Sequence, residues 1–223
     1  MTASAPSLLA IDTALENCSV ALAAGGQVLT RVKTIGRGHA EILMGEIAAL
    51  FEEANHRPES LDRIVVTVGP GSFTGLRVGI AAARGLALVR RLPVVGVSTL
   101  AVHAERALAC SGRVRPVLAL LPARGDELFG AVYAPDGALL SLAAPRPASV
   151  FAEEAVRCGY DVAGAGAALL GDGFTPLHRD SAPDIATLLD LGGRLDPETH
   201  PPRPLYGKPP DAAPQAGARI ARQ

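Results

Sequence analysis

The sequence predicts an α/β protein built in lobes. Three observations carry this. Short apolar runs of strand length alternate along the chain with segments of helical period, which argues against a helical bundle. Gly25-Gly26 and Asp136-Gly137 stand between pairs of such runs, where hairpins place their turns. Of the 223 residues, 48% are apolar and only 19% charged, a balance that supports a packed core rather than disorder. That length suits one large or two small domains.

The elements follow in order. After a small-residue leader, Met1 to Pro6, the run Ser7 to Ile11 reads as a buried strand closed by Asp12-Thr13. The runs CSVALAA and QVLTRVKT, joined by Gly25-Gly26, form a hairpin. His39 to Ala54 has the clearest helical period, with Ile42, Leu43, Ile47, Leu50, Phe51 and Ala54 on one stripe. Such a stripe either covers the chain's own sheet or faces a partner. A turn over Ser60 to Arg63 leads to the strand IVVTV, and the glycine-rich stretch from Gly69 to Gly79 then opens a small-residue helix reaching about Arg90. Pro93 to Val97 is a strand and Thr99 to Ala109 a helix. The second half holds strands over Pro116 to Leu121 and Leu128 to Ala134, a hairpin into ALLSLA, and helices over Val150 to Arg157 and Asp184 to Leu191. Beyond Asp196 the chain is rich in proline and reads as extended.

Charge and cysteine usage narrow the function classes. A formal net charge of −1 is unlike a free-standing nucleic-acid-binding domain, whose affinity rests on neutralising phosphates. Cys18, Cys110 and Cys158 form neither a disulfide framework nor a C-x-x-C pair; they read as small buried hydrophobes in a reducing cytosol. No basic stretch followed by an apolar region opens the chain, and Leu8 to Ala24 is too polar and short for a membrane span. A cytoplasmic protein is expected.

The richest chemical signal is Gly69-Pro70-Gly71-Ser72-Phe73-Thr74-Gly75-Leu76-Arg77-Val78-Gly79. A glycine turn between a strand and a helix can aim backbone N–H groups at an anion, with Ser72 or Thr74 as candidate caps and Arg77 one turn in. It lacks the Gly-Lys-Ser/Thr ending of a P-loop and does not fit the dinucleotide fingerprint, so a structural turn and an anion site both remain open. Asp12 and Thr13 close the first strand, where a carboxylate can anchor hydrated magnesium or satisfy a turn. Gly164-Ala165-Gly166 is a weaker glycine turn of the same kind. His39, His56, His103, His178 and His200 show no metal-binding spacing, and His39 reads as a helix-start or interface residue. No nucleophile elbow is present. Metal, cofactor and catalytic residues are each expected to be none.

Four segments then make a family resemblance specific: LLAIDTALENCSVAL, GRGHAEIL, GPGSFTGLRVGIAAARGLAL and PVVGVSTLAVHA, in that order over roughly residues 7 to 105. Together they resemble the TsaB (YeaZ) family, whose partner TsaD carries the catalytic site for threonylcarbamoyl transfer to adenosine in tRNA. The segment Pro204 to Ala212 resembles the family's terminal Tyr-containing stretch. The resemblance implies a two-lobed fold of the actin, hexokinase and Hsp70 (ASKHA) type with a degenerate nucleotide cleft. Residues 1–100 are expected to form the first lobe, with the partner-binding helices, and 101–223 the second lobe with its tail. It implies a non-catalytic subunit that binds TsaD in a helical bundle, works with the ATPase TsaE, and meets tRNA only through the complex. A homodimer is the alternative assembly of the lone chain, and an ATP-dependent kinase-like phosphotransferase the alternative function. The partner-binding residues implied are Ile42, Leu43, Glu46, Ile47 and Leu50 on one helix, and Arg77, Ile80, Ala81 and Arg84 on the next. A nucleotide would meet Asp12, Thr13 and Ser72. Two places depart from the family pattern: Leu121 to Phe129, where Pro122 stands in place of an aspartate, and Tyr206-Gly207-Lys208 in place of Tyr-Leu-Arg.

Overall fold

Alternation along each strand decides which side of a sheet a residue covers, and here it sorts the core into layers. The computed structural model describes residues 6–206. The leader up to residue 5 and the tail beyond Tyr206, with its Gly207-Lys208 departure, lie outside them. The first sheet contains β1 (Leu8–Asp12), β2 (Asn17–Ala24), β3 (Gln27–Thr34), β4 (Arg63–Gly69) and β5 (Val94–Ser98), in the order β3-β2-β1-β4-β5. The β1–β2 and β2–β3 pairs are antiparallel, while β1–β4 and β4–β5 are parallel.

Helices α1 (His39–Glu53) and α2 (Phe73–Leu88) cover one face of this sheet. Leu9, Ile11, Val20, Ile64 and Val66 point into that layer and meet Leu43, Ile47, Leu50 and Ile80. The alternate residues Ala10, Ala21, Val65 and Val95 point the other way. They pack against α3 (Thr99–Cys110) and α5 (Ile185–Arg194) through Val102, Ile185, Leu188 and Leu189. Thus α5 comes from the second half of the sequence and lies on the first sheet.

The second sheet contains β6 (Val117–Pro122), β7 (Glu127–Tyr133), β8 (Leu139–Pro147) and β9 (Asp161–Ala163), in the order β8-β7-β6-β9. Its pairings are antiparallel, antiparallel and parallel, the pattern of β3-β2-β1-β4 in the first sheet. Leu100, Ala104 and Leu108 of α3 pack on one face with Val117, Ala119 and Leu121. Phe151 of α4 (Ala148–Cys158) packs on the other with Leu118 and Leu120. Two copies of one strand plan with α3 between them give the two-lobed ASKHA architecture. Gly164 and Gly166 are structural within it, because a Cβ on either would come within 3 Å of the Leu120 backbone.

The cysteine reading needs correction. Cys18 is buried, but Cys110 and Cys158 are exposed, each being the last residue of its helix, past the packed turns.

Candidate functional site

The turn after β1 and the glycine segment after β4 meet, and their contact decides what the first lobe can bind. Ser72 caps α2, its hydroxyl accepting from Gly75 N–H at 3.3 Å, while its own N–H donates to Ala14 O at 2.7 Å. Thr13 Oγ1 donates to Gly75 O at 2.8 Å. A Cβ at Gly75 would sit 2.1 Å from Thr13 O, and one at Gly79 2.5 Å from Thr13 Oγ1. Glycine is what lets α2 lie directly on this turn. The segment packs as structure, and the N–H groups of Ser72 and Gly75 are engaged internally.

Asp12 is fully buried. Its Oδ1 accepts from Thr67 Oγ1 at 2.7 Å and from Ala14 N–H at 3.1 Å, while Oδ2 has no partner. Burial pushes its pKa up to about 6, against the lowering effect of these two bonds. The expectation that Asp12 and Thr13 face a phosphate is therefore corrected. Both are buried because α2 closes over them, and neither lines the cleft. Ser72 does line it. That cleft, about 460 Å³, lies between Leu15, Pro70 and Ser72 on one side and Leu121, Arg124 and Phe129 on the other. The stretch that departs from the family pattern is thus one wall of the cleft. Among the described residues, no group of three or more His, Cys, Asp or Glu is placed to hold a metal ion. His39 opens α1 and is buried, with Nε2 3.2 Å from Asn17 O.

The helix layer is corrected in phase. Leu43, Ile47 and Leu50 are at most 4% exposed and belong to the sheet-facing core, as does Ile80. Glu46 is buried too, held below the usual carboxylate range by Lys33 at 2.5 Å and Arg31 at 3.0 Å. Ile42 is half-buried. A stripe on an α/β helix goes first to its own sheet, so Leu43, Glu46, Ile47, Leu50 and Ile80 are not free for a partner. Of the nine expected, Arg77, Ala81 and Arg84 are exposed.

The outer face is different. Met44, Gly45 and Ala48 of α1 are exposed, and so are Gly85 and Leu88 of α2. Val89, just past α2, is 86% exposed. A groove of about 740 Å³ runs between the helices, lined by Met44, Ala48, Phe51, Gly85, Leu86 and Val89. On α2 sequence reasoning named Arg77, Ala81 and Arg84, but it missed the α1 side of this face because it followed the larger side chains. The signal was present in Met44 and Ala48, one turn apart with Gly45 between, on a surface where charge would be expected. Among the described residues no helix is long and apolar enough to cross a membrane.

Fold and site together define a two-lobed α/β protein with a closed β1 turn and an apolar outer helix pair. A family model described as "TsaD: tRNA N6-adenosine threonylcarbamoyltransferase" matches residues 32–164. The tRNA threonylcarbamoyladenosine biosynthesis protein TsaB of Escherichia coli is 40% identical over 129 residues, 58% of this chain and 55% of that protein. The TsaB of Bacillus subtilis is 30% identical, over 62% of this chain and 59% of that protein. The chain thus spans little more than half the length of these curated relatives. The solved structure of YeaZ from Pseudomonas aeruginosa is similar throughout, with 32% identity, a TM-score of 0.75, and coverage of 91% of this chain and 100% of that one. The chain belongs to the TsaB (YeaZ) family.

Proposed function

We propose that this chain is the non-catalytic partner subunit of a tRNA threonylcarbamoyl-adenosine machinery. It binds a TsaD-type catalytic subunit through the outer faces of α1 and α2 and supports threonylcarbamoyl transfer to adenosine in tRNA. The observation that carries the reading is the exposed, small-residue and apolar face of Met44, Gly45, Ala48, Ala81, Gly85 and Leu88. Gly45, Ala48, Ala81 and Gly85 allow close helix approach, and Met44, Leu88 and Val89 supply apolar area to bury. Similarity to TsaB proteins names the process. The burial of Asp12 and Thr13 counts against the kinase-like alternative.

A net charge of −1 supports tRNA contact through the assembly rather than through this chain. An accessory ATPase of the TsaE type completes the assembly, and the cytoplasm is its compartment. A homodimer of the free chain would use the same helix face and compete with the catalytic partner. The test is tRNA modification by purified catalytic subunit with and without this chain: dependence on the chain is expected, and indifference to it would remove the reading.

A further inference from the structure

The chain returns after α5 as a strap, and its described residues, up to Tyr206, lie against α2. Gly96 N–H donates to His200 O at 2.8 Å, and Leu205 N–H donates to Val68 O at 2.6 Å, so the segment is tied to β5 and β4. It lies so close that a Cβ on Gly96 would sit 2.7 Å from Pro201 O. Pro201, Pro202 and Pro204 fix φ along this short run, which lowers the entropy lost on holding it in place.

Two arginines of α2 reach the strap. Arg84 Nη2 donates to Pro202 O at 2.6 Å, and Arg77 Nε donates to Tyr206 Oη at 3.3 Å. The Arg77 guanidinium carbon lies 3.8 Å from the centroid of the Phe73 ring, and Phe73 and Tyr206 have ring centroids 5.1 Å apart. This is a guanidinium held on one aromatic and bonded to the second. Phe73 is 44% and Tyr206 38% exposed. Among the described residues neither arginine has a carboxylate partner within 4.0 Å.

The helical repeat places these contacts relative to the proposed interface. Arg77 and Arg84 are seven residues, about two turns, apart and share one side of α2. Gly85, Leu86 and Val89 turn toward the α1 groove on the other side. Ala81 and Leu88 lie between, exposed. The outer face of α2 therefore has α1 along one flank and the strap along the other.

We infer that the Pro201–Tyr206 strap is the second wall of the partner-docking surface, and that Tyr206 is a positioning residue holding Arg77 for a carboxylate of the partner. The inference rests on the partner-subunit reading. A planar guanidinium fixed on a ring is ready for two-pronged recognition of a carboxylate, and among the described residues no acid competes for it. Arg84, tethered to Pro202, supplies a second positive charge two turns away.

The test is a calorimetric titration of the purified catalytic subunit with wild type, Tyr206→Phe, Arg77→Ala and the double variant, each at low and high salt, beside thermal melts. Tyr206→Phe keeps the ring and loses the hydroxyl, so its melting temperature should stay with wild type while Kd weakens several-fold. Arg77→Ala should weaken Kd about tenfold or more and flatten its salt dependence. In the Arg77→Ala background, Tyr206→Phe should add nothing, because its effect passes through the arginine. Equal Kd values for wild type and Tyr206→Phe, or a tyrosine effect that adds in full to the arginine effect, would overturn the inference while leaving the partner reading standing. Wild type that gives no binding heat and no co-elution with the catalytic subunit would overturn both.

Discussion

Gly75 shows most directly how one residue decides between a binding loop and a packed turn. Its missing Cβ is the space that Thr13 O occupies. In Gly75→Val a β-branched side chain would have to push α2 off the β1 turn and break the Thr13 Oγ1 bond to the Gly75 carbonyl. We expect a loss of about 2 kcal/mol or more, read as a lower urea midpoint. An unchanged midpoint would mean that α2 does not rest on this turn. The glycines themselves were legible in the sequence. Their purpose was not, because the backbone that they approach is some sixty positions earlier in the chain.

Asp12 and His103 make a second test at single residues, with opposite signs. Asp12 is pushed up to about 6 by burial, so the folded chain holds its proton where the unfolded chain has released it. Stability from this group falls as pH rises from about 4 to about 6. His103 is pushed down to about 4 by burial and by the neighbouring His178 ring, against the raising effects of Ser181 O and Asp180. The unfolded chain binds its proton first, so stability from this group rises between about pH 4 and 6.5. In wild type the two slopes oppose. Asp12→Asn removes the falling one, and its unfolding free energy should climb across that window relative to wild type. Parallel pH profiles for the two proteins would contradict the burial of Asp12.

Among the elements, α1 carries the clearest lesson about reading a periodic stripe. His39 to Ala54 was legible as a helix, and the observed span is His39–Glu53. The larger apolar side chains go to the sheet, because strands with apolar faces such as Leu9, Ile11 and Val20 must be covered within the same chain. What a partner can use is the opposite face, and its small residues carry a weak pattern. The two faces predict opposite outcomes. Ile47→Asp places a charge in the sheet-facing core and should cost several kcal/mol, enough to unfold the chain or nearly so. Ala48→Glu, exposed on the outer face, should leave the melting temperature within a degree or two and weaken partner binding at least about tenfold. A folded Ile47→Asp protein that merely lost the partner would restore the original phase of the stripe. Other elements follow their local signals closely: both hairpin turns fall at Gly25-Gly26 and around Asp136-Gly137. The three-residue β9 was not legible as a strand, since Asp161–Ala163 depends on β6 for its pairing.

Across the assembled fold, the two sheets share one strand plan, and α3 links them through cores on both of its sides. The alternation of strands and helices was legible in the sequence, but the return of α5 to the first sheet and the strap along β5 were not. Both depend on contacts with residues about a hundred or more positions earlier, such as Val65 with Leu188 and Val68 with Leu205. These long-range returns finish the first lobe and set one flank of α2, where the proposed partner surface lies. The most direct test is turnover of tRNA adenosine with threonylcarbamoyl-adenylate and the accessory ATPase supplied throughout, in three mixtures: purified catalytic subunit alone, this chain alone, and both together. Sustained modified tRNA is expected only when both are present. Modified tRNA from this chain alone, free of contaminating partner, or full turnover by the catalytic subunit without it, would contradict a non-catalytic activating subunit.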